Sequence, residues 1–301
     1  MTTMLQLVQQ ATGELGLSVP TIVVGNSNTD VVQQLALLNG VGNQLMRAFQ
    51  WQHQAVEYRF TTQYVTTSGT TTTGSAVITG IPTTAAISAT TYMVIGTGIN
   101  QDTYVNSVDS LTQVTMSQAA TASGTVALNF CKTEYALPAD YDRIIDKTQW
   151  DKSKRWEMLG PETPQQWQWL KSGWISTGPR IRYRIIQNRF QIWPPMAASE
   201  YLGFEYLSNG WVIATNGTTL KTSFTLDTDT CVFPDRLMVM GLKLRYFEIK
   251  GFNTTVLRHD YQGELDIAKA NDAGSPTLSM APRGSDLLIG WNQIPDSGYG
   301  P

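Results

Sequence analysis

Six carboxylates and four tryptophans crowd one stretch of the sequence: Asp140, Asp142, Asp146, Asp151, Glu157 and Glu162 lie among Trp150, Trp156, Trp167 and Trp169. The chemistry such residues could perform is glycoside cleavage. Two carboxyl groups about 5 to 9.5 Å apart would flank the scissile bond while an aromatic ring stacks on the sugar. The spacing along the chain singles out no pair, and carboxylates beside aromatics are common. Arg143, Lys147, Lys152, Lys154 and Arg155 are interspersed with the acids, and ion pairing on a solvated surface accounts for that mixture. Nothing resembles an acid and a base tuned apart, so structural roles are expected. No G-x-S-x-G, Walker loop or H-E-x-x-H segment occurs. His53 and His259 are the only histidines and offer no metal-ligand spacing. No catalytic, cofactor-binding or metal residue is assigned, and the chain is expected not to be an enzyme.

A second candidate chemistry is anion binding. In a strand, Arg180, Arg182 and Arg184 would share one face, with Ile181, Tyr183 and Ile185 on the other. Those arginines could meet phosphates or, with bidentate geometry, carboxylates of a neighbouring subunit. The formal net charge of −3 gives no basic footprint for a free nucleic-acid binder, which favours the subunit contact. The tryptophans point the same way. Seven of nine fall between Trp150 and Trp211, each able to bury about 150 to 250 Å². A segment of that length, rich in charge, cannot enclose them all, so some should pack on another domain or another chain. The candidate subunit or partner interface is Trp150, Trp156, Trp167, Trp169, Arg180, Arg182 and Arg184.

The elements that would carry these residues change character along the chain. Residues 1–60 read as helical: "TTMLQLVQQATGEL" is amphipathic and is ended by Gly16 and Pro20. A longer helix opens with Asn28, Thr29 or Asp30 as its cap. Val31, Leu35, Leu38, Val41, Leu45 and Phe49 recur on one face. Gly40 and Gly42 each weaken that helix by about 1 kcal/mol, which favours a close-packing role. Residues 61–130 hold only two charged side chains, Asp102 and Asp109. Their short β-branched runs, separated by Gly, Pro, Asn and Ser, read as an inserted all-β domain. Residues 131–233 form a central β region with the tryptophan-rich block. "RIRYRIIQNRFQIWPP" is a hairpin turning near Gln187-Asn188, and "EYLGFEYLS" and "TSFTL" add strands. Residues 234–272 give two more helices, from Pro234 to Gly251 and from Asn253 or Thr254 onward. Residues 273–301 are an extended tail. The fold class expected is α+β: a helical bundle built from N- and C-terminal helices, a central β region and the inserted β domain. Cys131 and Cys231 read as buried free thiols, with a single disulfide left open. No apolar run approaches the ~20 residues of a membrane span, no membrane partner is expected, and the N-terminus lacks a signal peptide's basic and apolar regions.

Several blocks follow one another in a set order. They are Leu37-Leu38-Asn39 with Trp51, "LPADYDR" with its following tryptophans, "LGPETPQQWQWL", "YRIIQNRFQIWP", "GFEYLSNGW" and "FPDRLMVMGLKLRYFEIKG". This series resembles the head-to-tail adaptor proteins of short-tailed bacteriophages, over residues 31–60 and 131–262. The Thr-rich segment departs from shorter members of that family and is similar to a β module inserted in many phage virion proteins. The resemblance implies a ring of twelve copies, with a portal protein above and a tail nozzle or tail tube protein below. It also implies helices that line or brace a channel for non-specific passage of double-stranded DNA, a C-terminal tail reaching toward the portal, and no cofactor. The implied location is the virion, at the head-to-tail junction, after assembly in the bacterial host cytoplasm. The charge-mixed tryptophan block and the arginine strand are candidates for the two unlike faces that a ring contact needs. A carbohydrate-binding or glycan-cleaving tail component is the alternative that the Trp and carboxylate block leaves open.

Overall fold

The computed structural model describes residues 2–172 and 180–273. The expected C-terminal tail and Trp174 lie outside the described residues. The chain is mixed α and β, with five α-helices and several small antiparallel sheets among the described residues. Helix α1 (Met4–Glu14) starts at Thr3. The Thr3 hydroxyl accepts from the Gln6 amide and the Gln6 side chain accepts from the Thr3 amide, a reciprocal cap. Gly16, with φ of 70°, follows its last turn, as expected. Of the three caps proposed for α2 (Thr29–Ala48), Asn28 is the one used. Val31, Leu38, Val41 and Leu45 are buried along its face, Leu35 is partly buried, and Phe49 falls outside the helix at its C-cap.

A short 3-10 turn at Gln52–Gln54 leads into β1 (Ala55–Thr61). The Thr-rich segment then folds as β2 (Tyr64–Thr71), β3 (Val77–Ile78), β4 (Tyr92–Gly96), β5 (Val105–Ser110), β6 (Gln113–Met116) and β7 (Gly124–Lys132). These pair as two antiparallel sheets, ordered β2-β7-β4 and β3-β6-β5. They enclose a cluster of their own that includes Ile78, Val94, Val105, Val114, Leu128 and Phe130. The β-branched runs read in the sequence are therefore strands with a local core.

The chain returns through β8 (Glu134–Ala136), β9 (Tyr141–Ile144), β10 (Trp150–Asp151) and β11 (Trp156–Glu157), then α3 (Pro164–Lys171). Beyond it come β12 (Arg182–Ile186), β13 (Arg189–Trp193) and β14 (Tyr201–Ser208). Strands β12 and β13 turn at Gln187 and Asn188, both left-handed with φ of 49° and 61°, as a two-residue primed turn requires. Strand β14 is the hub of the other sheet. It pairs with β1 along the whole of that strand, and with β9 and β10. Between the two sheets, Tyr183, Phe190 and Phe204 stack with ring centroids 5.1 and 4.9 Å apart.

The last strands, β15 (Val212–Ile213), β16 (Leu220–Lys221) and β17 (Thr230–Cys231), precede α4 (Asp235–Lys250) and α5 (Thr255–Ala273). Residues 222–226, "TSFTL", are not a strand. The Asp229 carboxylate gathers the Thr225 and Leu226 amides and the Lys221 ammonium, and so bends them into a loop. Helices α1, α2, α4 and α5 share one buried cluster, joining the two ends of the chain. Against the expectation of a bundle built from helices, that core also takes in Trp211, Val212, Phe224, Cys231 and Phe233. Gly42 is the reason Trp211 fits, since a side-chain carbon there would stand 2.2 Å from the indole. Its packing role holds, whereas Gly40 faces open space. Cys131 and Cys231 are free and buried, and burial pushes both thiols up to about 12.

Candidate functional site

The tryptophan block divides into two settings. In the first, β10 and β11 form an edge hairpin with Trp150 opposite Glu157 and Asp151 opposite Trp156. Asp151 is buried, and one of its oxygens accepts from the Ser153 and Lys154 amides at 3.0 and 3.1 Å. Such a carboxylate fixes a turn by replacing backbone acceptors. The turn is tied to β14 twice more, by the Lys152 amide on the Tyr201 carbonyl and by the Tyr201 amide on the Ser153 hydroxyl. Arg155 closes it with φ of 58°, a left-handed conformation that costs a non-glycine residue energy. On this braced turn Trp150 and Trp156 keep 43% and 41% of their surfaces exposed.

The charges of the hairpin are unequally engaged. Lys152 pairs with Glu57, which also holds Arg59, and Lys154 pairs with Glu200 at 2.8 Å. Arg155 has no ion pair among the described residues. Burial pushes the Asp151 carboxyl up, opposed by the Lys154 amide and reinforced by nearby Glu200. Asp151 and Glu200 are committed to holding this turn and Lys154, whereas Glu157, opposite Trp150, is exposed and has no ion pair among the described residues.

The second setting is α3. Thr163 and Gln166 cap it reciprocally, with Pro164 in the first turn. Its inner face carries Trp167, 1% exposed, and Leu170, packed with Met93 of β4 and Trp193 of β13. Lys171 extends the contact. Its ammonium donates to the Tyr104 hydroxyl at 2.8 Å, lies 3.5 Å from Asp102, and sits over the Tyr104 and Trp167 rings. Burial opposes its charge, yet Tyr104 and Asp102 outweigh burial and hold Lys171 above its ordinary value. Trp167 thus joins the β2–β7 sheets to the rest of its own chain, and it presents no surface to a second subunit. Trp169, on the other face of α3, is 50% exposed.

The remaining predicted residues are spread further. Arg180 lies in a bend before β12, exposed and outside the strand. Arg182 and Arg184 do alternate with buried Ile181 and Tyr183, but the Arg182 guanidinium donates to Glu162 at 2.6 Å. An intrachain carboxylate therefore occupies the charge proposed for a neighbour. Among the acids, Asp140 accepts from the Tyr206 hydroxyl at 2.8 Å, and Asp142 pairs with Arg143 at 3.9 Å on the surface. A cleft between β4 and the Trp193-Pro194-Pro195 segment is apolar along Met93, Ile95 and Ile99, and Asp102 is the one carboxylate among its described lining residues. Among the described residues no His, Cys, Asp and Glu group could hold a metal ion, and no helix is long and apolar enough to cross a membrane. No family model matches the chain, and no curated protein matches it either.

Sequence reasoning expected helix α5 but did not single out its outer face, Arg155 or Lys171. Arg155 shares a basic run with residues that pair inside the chain, and only the left-handed turn sets it apart. The signal for that face was available: Val256, Gly263 and Ile267 fall on one helical face.

Proposed function

We propose that the chain is a structural virion protein, a head-to-tail adaptor. Its copies would form a ring that joins the portal to the tail and surrounds part of the DNA channel. In this reading the helices of the two chain ends form the ring's helical bundle, and residues 61–130 are an inserted domain. The ordered sequence blocks support it, and one observation carries it. Four turn-fixing hydrogen bonds and a strained residue hold Trp150 and Trp156 in solvent, while Trp51, Trp167, Trp193 and Trp211 are buried. Exposed tryptophan on a rigid support is the character of an interface anchor. A turn braced by buried Asp151 would serve assembly without any turnover.

The test is electron microscopy of the purified chain mixed with portal-bearing capsids, with mass spectrometry of virions. A ring at the portal vertex and the chain's presence in particles are the expected results. A monomer that ignores the portal, and absence from virions, would contradict the reading. A glycan-binding role is the second reading, because Trp150 and exposed Tyr201 lie on adjacent strands of one sheet. Binding to a glycan array that is lost in Trp150→Ala would favour it.

A further inference from the structure

Helix α5 has an outer face that none of the described residues covers. Val256, Asp260, Gly263 and Ile267 recur at helical spacing, with Val256 and Ile267 exposed to 75% and 56%. Asp260 and its neighbour Asp266 have no lysine or arginine partner among the described residues: His259 lies 3.7 Å from one and the Gln262 amide donates to the other. A side-chain carbon added to Gly263 would meet nothing within 4 Å. Glycine in mid-helix is unfavourable relative to alanine, and among the described residues nothing packs against this one. Gly40 of α2 is open in the same way, whereas two other helical glycines are closely packed. Gly42 of α2 takes the Trp211 ring against the helix backbone, and Gly241 of α4 takes Val41. The α5 face is thus an acidic, apolar strip with a gap at its centre. The β10–β11 hairpin offers a matching surface: two exposed indoles beside Arg155, which has no ion pair among the described residues, with exposed Glu157 across the strand from Trp150.

The last turn of α5 and the hairpin turn sit at opposite ends of β1. The Gln52 amide donates to Asp272 in the last turn of α5, just before β1 begins. The hairpin turn instead sits level with Tyr201, which pairs with Thr61 at the other end of β1. The strand between covers roughly 20 Å at about 3.3 Å per residue. Complementary patches at different places on one chain pair head to tail between copies, and such pairing closes into rings or runs on as filaments. We propose that the outer face of α5 receives the β10–β11 turn of a second copy of this chain, with Trp150 or Trp156 over Gly263 and Arg155 facing Asp260 or Asp266. This rests on the ring reading and replaces the arginine strand with α5 as the second face of the contact.

The experiment measures ring assembly of the full chain on portal-bearing capsids by electron microscopy and sedimentation. The variants are Arg155→Glu, Asp260→Arg with Asp266→Arg, the combination of all three, and Gly263→Leu, with circular dichroism confirming the fold of each. Each charge reversal alone should weaken assembly about tenfold or more, as close interfacial charge pairs do, and the combination should recover most of it. Gly263→Leu should abolish rings while leaving the monomer at least as heat-stable as the parent, because leucine favours helix over glycine. If the wild-type chain forms rings and every variant does too, the α5 contact is overturned while the ring reading stands. If both reversals fail and the combination does not recover, the assigned pairing is overturned. If the wild-type chain forms no ring at all, the ring reading fails, and the α5 contact falls with it.

Discussion

Trp211 and Trp150 carry the same indole into opposite situations. Trp211 has no exposed surface: it lies on the Gly42 backbone, meets Phe224 edge to face at 5.0 Å and donates its N–H to Asn43 at 3.0 Å. Trp150 sits on a short edge hairpin opposite Gly203 and Glu157, half open to solvent. The difference is one of partners remote in sequence. Trp211 finds a glycine-lined hollow about 170 residues away along the chain, whereas no other described element closes over Trp150. A burial need met inside the chain makes stability. One left unmet, on a turn that Asp151 makes rigid, leaves surface for another molecule.

Substitutions should separate these two regions by what they damage. The largest loss of stability is expected for Trp211→Ala, about 3 to 5 kcal/mol by denaturant unfolding, because it empties a fully packed site. Asp229→Asn should cost about 1.5 to 3 kcal/mol, since it weakens charge-assisted bonds to Lys221 and to two amides. The Asp229 carboxyl also has a pH signature. Burial opposes its ionisation, but Lys221 and the Thr225 and Leu226 amides outweigh burial and hold it below its ordinary 3.8. A depressed folded value means the stabilisation is complete above pH 3.8 and is lost as pH falls through the lower folded value. Asp229→Asn should remove that part of the acid unfolding profile, and an unchanged profile would remove Asp229 from the account. Gly42→Ala should follow, at about 1 to 3 kcal/mol, because the methyl drives into Trp211. Trp150→Ala and Trp156→Ala come last, within about 0.5 kcal/mol of the parent, yet they should be the ones that abolish assembly. Equal stability losses at Trp150 and Trp211 would break the comparison.

Much of the architecture was legible because it is local. The apolar face of α2, the Gln187-Asn188 turn and the strands of the Thr-rich segment each follow from periodicity and turn chemistry within a few residues. What escaped depends on distant partners. Phe224 reads as part of a strand in "TSFTL" because nothing nearby announces that Asp229 will bend the segment. Arg182 reads as free because Glu162 is 20 positions away along the chain. Trp167 reads as a surface anchor because its cover, Met93, belongs to the β2–β7 sheets. For the candidate site, the sequence identified Trp150 and Trp156 by type alone. Only the fold distinguishes them from their buried neighbours, and only the fold brings the exposed face of α5 into view.

The most direct measurement is a density map of the chain assembled on the portal vertex, at a resolution that separates side chains. The account predicts a closed ring in which each β10–β11 turn lies against α5 of the adjacent copy, with Trp150 or Trp156 covered there and Arg155 beside Asp260 or Asp266. A ring in which those indoles still face solvent, or a chain that remains monomeric beside its portal, would contradict it.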